Sequence, residues 1–321
     1  MKRPRNPCAE IELDLIAAAT GEADPVAERR VQQHVSGCAP CGGDYQRYRA
    51  LEQAVETWRR APAPAGPPAA ARRRLEERLE EIRRRTVAYR IFPSPLGNIL
   101  IALSERGVSM VEYLGRRRDL AHSRLGRMPS VDPVEDGAEL EALHRELLEY
   151  LEGKRTRLDW PLDLALARSE FHRSVLRATA GIPHGAVMSY AGVACEVGRP
   201  SATRAVAQAL RWNPLPIVIP CHRVVGSSGA LTGYAGDKLD LKERLLAVEG
   251  VAVAPRARRI CRESMYVRYP GDDSYCLPSC PSLATVDHPH RLVLFGTRQR
   301  AEAAGLAPCT TCRPDVHPIA S

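Results

Sequence analysis

The chain has 321 residues. That is more than one domain of roughly 100–200 residues needs, so two or more domains are expected. Hydrophobic residues make up 44% and charged residues 26%, which excludes a chain disordered by composition. No apolar run reaches the roughly 18 residues of a membrane helix and no signal peptide opens the chain, so the expectation is no membrane association and a cytoplasmic location. The formal charge of +8 permits an acidic partner without establishing one, and its Arg-rich character in an Ala- and Pro-rich chain is also what codon bias produces.

Ten cysteines are too few for a disulfide scaffold, and their clustering points to metal or redox chemistry. Residues 1–60 hold the first cluster. Periodicity predicts helices over Ile11–Ala19 and Val26–His34. His34-x3-Cys38 places an imidazole and a thiolate at i and i+4 on one helix, with Cys41 at the helix end. Cys8 as fourth ligand completes a Cys3His tetrahedron, the usual make-up of a structural zinc site, against the competing readings of a redox thiol pair or no metal. The pattern resembles the zinc-bearing anti-sigma-factor module, which implies a sigma factor as partner through residues 1–60. Such modules also serve as plain structural appendages.

Residues 61–86 follow. Ala61–Ala71 is Pro/Ala-rich and reads as a semi-rigid linker. Arg72–Arg85 alternates Arg and Glu blocks with Leu75, Leu79 and Ile82 at helical spacing, predicting an exposed helix. Over 87–163, short β-like runs at Tyr89–Ile91, Ile99–Leu103 and Val108–Tyr113 are punctuated by Ser94-Pro95 and Gly97. A helix with Leu140, Leu143, Leu147, Leu148 and Leu151 on one face comes next, so this segment reads as a small α+β unit. Over 164–254 the pattern predicts helices at Phe171–Ala180, Tyr190–Val197 and Pro200–Leu210, the last two as a helix-turn-helix. No fixed-period repeat is present.

The most specific local text is Asn213–Val225, NPLPIVIPCHRVV. Ile217–Ile219 reads as a buried strand that stops at Pro220, leaving Cys221 at its end and His222 next. A nucleophilic cysteine must be a thiolate, and a nearby imidazole can take its proton. Neighbours on a strand face opposite sides, so a turn or a bridging water is required. A lone cysteine is more often a small buried hydrophobe. The surrounding residues favour the nucleophile. Pro220-Cys221-His222-Arg223, with Asn213-Pro214 upstream, resembles the active-site signature of the O6-alkylguanine-DNA alkyltransferases. Ile182-Pro183-His184-Gly185 with Ser189-Tyr190, Arg204-Ala205-Val206, Gly233-Tyr234-Ala235-Gly236, and Leu245-Leu246 through Glu249-Gly250 extend the likeness. Ser94-Pro95-Leu96-Gly97 is similar to the start of that family's ribonuclease H-like subdomain. The resemblance covers about 87–254 in the family's order.

The resemblance implies a role for each matching residue. Cys221 accepts the alkyl group, His222 is its base through a water, and Glu249 orients the imidazole. Tyr190 donates toward the guanine and crowds the flanking phosphate. Asn213 ties the recognition helix to the active-site segment. Tyr234, Ala235 and Gly236 line the base pocket. Arg204 fills the stack after the nucleotide flips out. Ala205, Ala207 and Ala209 let the recognition helix approach the minor groove without reading sequence, and Arg211 joins Tyr190 and Arg204 at the DNA. The implied partner is duplex DNA met by a monomer with little sequence preference, in one stoichiometric turnover and with no organic cofactor. Residues 164–254 hold ten Lys or Arg against six Asp or Glu, too small an excess to argue alone. Two departures stand out. Ala207 occupies a Gly position of the family, and Asp237-Lys238 replaces a Gly pair and adds a residue before Lys242.

At 262–316, Cys276-x3-Cys280 and Cys309-x2-Cys312 form a four-thiolate framework suited to zinc. With its flanking text it resembles the metal-binding domain of Ada-type adaptive-response proteins. That implies Cys276 as a second methyl acceptor, from DNA phosphotriesters, at a thiolate kept ionised by zinc. Leu277 replaces the family's Arg, and the module follows the alkyltransferase instead of preceding it. Cys195 and Cys261 receive no role, and His288 and His290 read as surface residues. The expected fold is thus α+β and multi-domain: a helical zinc module, a ribonuclease H-like subdomain, a helical winged-helix-like DNA-binding subdomain and a small zinc domain, with two zinc sites. A competing reading is a transcriptional regulator that senses alkylation or redox state through its zinc modules and binds a sigma factor or promoter.

Overall fold

The computed structural model describes residues 7–61, 69–236, 238–254, 256–283 and 291–319. Linker residues 62–68, Asp237, His288 and His290 lie outside the described residues. Two compact units are present, residues 1–76 and 77–321.

Among the described residues, the first unit holds α1 (Pro7–Thr20), α2 (Pro25–Gly37), α3 (Ala39–Arg60) and the start of a further helix. Asp24 caps α2 by accepting the N–H groups of Val26 and Ala27, both at 2.8 Å, and Pro25 supplies a preset φ at its start. Ile11, Leu15, Ala19, Val31, Cys41 and Tyr45 form the buried core. The two-helix expectation is corrected in two ways. A third, long helix follows, and Cys38 does not continue the helix of His34. Cys38 is extended (φ −127°, ψ 99°) and caps both α2 and α3, because Gly37 ends one helix while Pro40 fits the first turn of the next. α4 (Ala69–Arg85) buries none of its residues and carries i,i+4 pairs such as Arg72–Glu76 at 3.0 Å.

The second unit begins with a four-stranded sheet in the order β3-β2-β1-β4, from β1 (Thr86–Phe92), β2 (Asn98–Ser104), β3 (Gly107–Gly115) and β4 (Asp132–Glu135). β1, β2 and β3 are antiparallel and β4 runs parallel to β1. The Ser94–Gly97 turn needs glycine at its end, since Gly97 has φ +92° and a Cβ there would sit 2.9 Å from the Gly115 carbonyl. Alternate residues of β2 serve different cores. Ile99 and Ile101 pack with Leu140 and Leu147 of α5 (Ala138–Leu151), and Leu100 and Ala102 pack with Met110 and Leu125. Each of the buried Ile, Leu and Met side chains contributes about 1.5–3 kcal/mol by leaving water.

Next come α6 (Glu170–Ala180), β5 (Ala186–Ser189), α7 (Tyr190–Glu196) and α8 (Thr203–Arg211). Ser169 and Ser189 cap α6 and α7 by accepting the His172 and Gly192 N–H groups. α8 starts three residues later than its sequence pattern suggests, with Pro200 left in the preceding turn. Ile217–Ile219 is a turn and not a strand: Ile217 has φ +76°, and an isolated bridge joins Pro216 to Ile219. Pro214, Pro216 and Pro220 lack N–H donors and so interrupt any ladder on both sides of these three residues. Cys221–Arg223 forms a single 3-10 turn that leads into β6 (Val224–Val225), parallel to β5. α9 (Leu239–Val248) and the hairpin of β7 (Val253–Ala254) with β8 (Arg259–Ile260) complete this part.

The C-terminal segment adds β9 (Tyr266–Arg268), β10 (Ser274–Tyr275), β11 (Val293–Phe295), α10 (Arg298–Ala303) and β12 (Ala307–Pro308). β10 pairs with β12. β11 lies between β9 and β5, so one sheet, β6-β5-β11-β9, joins the segment after 262 to the helix-turn-helix part.

Candidate active site and metal centres

Cys221 is 7% exposed at the start of its 3-10 turn. Asn213 pins that turn from upstream: its Nδ2 donates to Ile219 O at 2.9 Å and to Cys221 Sγ at 3.2 Å, and its Oδ1 accepts the Leu215 N–H at 2.9 Å. Burial pushes the Cys221 thiol up, opposed by the Asn213 hydrogen bond and by the charge of Lys242. Lys242 is itself buried, which lowers its ammonium to about 8. Its Nζ donates to the carbonyls of Val224 and Thr232 and lies 5.9 Å from the Tyr190 ring centroid.

Beneath Cys221, His222 and Glu249 are both completely buried. His222 Nε2 meets Glu249 Oε1 at 2.6 Å, while its Nδ1 has no hydrogen-bond partner in the protein. Four other donor groups reach the carboxylate. Arg223 Nε and Nη2 donate at 2.9 and 3.0 Å, the Gly185 N–H donates at 3.0 Å, and the Tyr150 hydroxyl donates to Oε1. Burial alone would raise the Glu249 carboxyl, but His222 and Arg223 outweigh it and hold it far below the usual carboxylate range. Burial pushes the His222 imidazole down, against the opposing pull of Glu249. The hydrogen bond to Glu249 holds the imidazole in one orientation.

Above Cys221, a cavity of about 440 Å³ is lined by Tyr190, Arg204, Arg211, Tyr234, Ala235 and Gly236 together with the cysteine. The sequence-derived residues thus converge on one space. The Tyr190 hydroxyl donates to Thr232 O at 3.0 Å. Arg204, Ala205, Ala207 and Arg211 are exposed on α8. Ala209 is not on that surface: it is 8% exposed and packs in the core with Val206 and Leu210, because this end of α8 lies against α6. Cys221 also borders a cavity of about 230 Å³ with Tyr113, Trp212 and Lys238.

Tyr150, Gly185 and Arg223, three of the groups that hold Glu249, carry no sequence-derived role. Arg223 stands inside the quoted Pro-Cys-His-Arg motif, which was its signal. Gly185 closes the Ile182-Pro183-His184-Gly185 stretch that carries the family likeness, which marked the residue without marking its amide, and Tyr150 comes from a distant segment with no such signal. Tyr113 was also missed, and its hydroxyl lies 2.7 Å from that of Tyr234.

Each cysteine cluster brings its four ligand atoms within 4.8 Å of one another: Cys8, His34, Cys38 and Cys41, and Cys276, Cys280, Cys309 and Cys312. In the first, Cys8 and Cys38 Sγ are 3.8 Å apart and His34 Nε2 is buried without a hydrogen-bond partner. A soft cation bound by three thiolates and an imidazole fits this donor set, and four thiolates fit the second. The Leu277 N–H donates to Cys312 Sγ at 3.4 Å, as a thiolate ligand would accept it. Cys195 and Cys261 belong to neither cluster.

A family model for the 6-O-methylguanine DNA methyltransferase ribonuclease-like domain matches residues 87–164, one for the DNA binding domain of the same proteins matches 170–251, and one for the metal binding domain of Ada matches 262–315. The methylated-DNA–protein-cysteine methyltransferase of Methanosarcina barkeri is 39% identical over 161 residues, covering 50% of this chain and 96% of that protein. The constitutive enzyme of that name from Bacillus subtilis is 34% identical over 169 residues, covering 51% and 96%. The crystal structure of the Mycobacterium tuberculosis O6-methylguanine methyltransferase shares 34% identity, covers 51% of this chain and 92% of its own, and superposes with a TM-score of 0.43. The motif around Cys221, its buried His222–Glu249 pair and the identity to the Methanosarcina barkeri and Bacillus subtilis proteins, each covered over 96% of its length, place the chain in the methylated-DNA–protein-cysteine methyltransferase family.

Proposed function

We propose that the protein repairs DNA by taking the alkyl group of O6-alkylguanine in duplex DNA onto Cys221. The observation that carries this reading is the Asn213–Cys221 and His222–Glu249 geometry beneath a cavity bordered by α8. Cys221 Sγ attacks the alkyl carbon. The C–S bond forms as the C–O6 bond breaks, and guanine leaves with the bonding pair and takes up a proton. His222 Nδ1, with no protein partner, accepts the thiol proton through a water, and Glu249 stabilises the imidazolium that results. The Asn213 amide and the Lys242 charge favour the thiolate. No group here breaks the thioether again, so each chain reacts once.

Arg204, Ala205, Ala207 and Arg211 form the surface offered to the minor groove, with little preference for sequence, by a chain acting as a monomer. Arg204 fills the gap left by the flipped nucleotide. Both cysteine clusters hold zinc. In a second reaction the Cys276 thiolate takes one methyl group from a DNA phosphotriester, the S–C bond forming as the C–O bond breaks and the phosphodiester anion leaving; the residue is 8% exposed. Residues 1–60 bind a sigma factor, a reading supported only by the helical Cys3His arrangement. No helix among the described residues is long and apolar enough to cross a membrane. A cytoplasmic location is our reading. The regulator alternative gains no support from the relatives named above, which are described as methyltransferases.

The test is mass spectrometry after mixing the protein with duplex DNA containing O6-methylguanine. The expected product carries one extra methylene, about 14 Da, on Cys221. Absence of that adduct would refute the reading. Duplex carrying a methyl phosphotriester tests Cys276 in the same way, with Cys276→Ala expected to accept none.

A further inference from the structure

The C-terminal metal module meets the alkyl-transfer centre through backbone. β11 is hydrogen-bonded to β5 on one side and β9 on the other, with Leu294 opposite both Val187 and Val267. Val267 in turn exchanges two backbone hydrogen bonds with Cys276, at 2.8 and 2.9 Å. At the end of β11 the Gly296 N–H donates to Gly185 O at 2.9 Å. Gly185 is the residue whose own N–H holds the Glu249 carboxylate.

The fit there is too tight for side chains. A Cβ on Gly296 would lie 2.4 Å from Gly250 O. A Cβ on Gly185 (φ +75°) would lie 2.6 Å from Arg300 Cγ and 2.9 Å from Glu249 O. Gly296 and Arg300 therefore back both glycines that flank the carboxylate, Gly185 in space and Gly250 in sequence. β11 and α10 lie between Cys280 and Cys309, so a metal holding the four thiolates closes the loop that carries this brace.

We infer that the C-terminal metal module is a positioning element of the alkyltransferase: through Gly296 and Arg300 it sets the Gly185 amide and the Glu249–Gly250 turn, and hence His222 under Cys221. This rests on the alkyl-transfer reading above. It makes repair at Cys221 depend on the state of a metal site that belongs to a different family domain. A module that is only an appendage has no such effect.

The experiment uses full-length Gly296→Val and Arg300→Ala proteins in single-turnover reactions with saturating O6-methylguanine duplex. Displacing the carboxylate by a fraction of an ångström is expected to slow transfer by about 10-fold in R300A and up to about 10²-fold in G296V. The fraction of chains that react and their metal content should stay at the wild-type level. A variant that loses reacting fraction while the remaining molecules transfer at the wild-type rate shows stabilisation only and overturns the inference. R300A keeps the test open if G296V does not fold, because it removes a contact and adds no bulk. A second readout is hydrogen exchange at the Gly185 and Gly296 amides before and after a chelator strips the metal. Faster exchange at both, reversed by zinc, is expected, and an unchanged Gly185 amide overturns the inference. If the wild-type chain yields no Cys221 adduct, the alkyl-transfer reading fails, and exchange still reports on the brace.

Discussion

Arg223 and Glu249 form a buried two-pronged ion pair, with Nε 2.9 Å from one carboxylate oxygen and Nη2 3.0 Å from the other. The same carboxylate accepts from His222, Tyr150 and the Gly185 amide. An ion pair so far from water survives because every lone pair has a donor. It also means that the group orienting the proposed base is fixed by structure on several sides at once.

Glu249→Gln leaves Arg223 buried without its counter-charge, and a loss of about 3–5 kcal/mol of stability is expected in chemical denaturation. The pH dependence has a defined sign. Glu249 is held below its unfolded value of about 4.3, so its contribution is fully present above that pH and is lost as pH falls through the lowered folded value. Wild-type stability should therefore decline in acid more steeply than that of E249Q. Equal slopes would show that the carboxylate is not the stabilised species.

His222→Gln keeps a side chain of similar reach while removing the base. Single-turnover rate constants for methyl transfer should fall by about 10²–10⁴-fold at neutral pH, with the reacting fraction unchanged. A loss of less than about tenfold would rule out His222 as the base.

Lys242 titrates near 8 in the folded chain against about 10.4 when unfolded. Between those values the unfolded state binds more protons, so the lysine makes stability rise with pH there. Denaturation of wild type and Lys242→Met on both sides of this window should show the wild type gaining on the variant as pH increases. Parallel curves would mean that the ammonium is not desolvated.

Elemental analysis should find about two zinc ions per chain, and Cys309→Ser should retain about one. A wild-type value of one would leave one of the two clusters as a set of free thiols.

Much of the site was legible in the chain because covalent order carries it. Asn213, Cys221, His222 and Arg223 occur within a short stretch, so one local pattern holds the proposed nucleophile and three of its neighbours. The Cys-x3-Cys and Cys-x2-Cys spacings put two ligands within about a turn of each other, whatever the rest of the chain does. Other readings failed for equally local reasons. Ile217–Ile219 has the apolar character of a strand, yet prolines interrupt the ladder on both sides of it and Ile217 turns the chain with φ +76°. Cys38 has the i+4 spacing from His34 of one helix, yet Gly37 and Pro40 break the helix between them. Ala209 shares the spacing of an exposed alanine face, yet α6 packs over that end of α8.

The sequence by itself determined which atoms are the candidates for the chemistry: the Cys221 sulfur, the neighbouring imidazole and two sets of soft donors. Tertiary structure decided what holds them. The donors to Glu249 come from residues 150, 185, 222 and 223, segments that meet only in the folded chain. The sheet that joins Cys276 to β5 and β6 is built from strands of two to four residues. Strands that short carry almost no periodicity, and a hydrophobic pattern records that a residue is buried without recording against what.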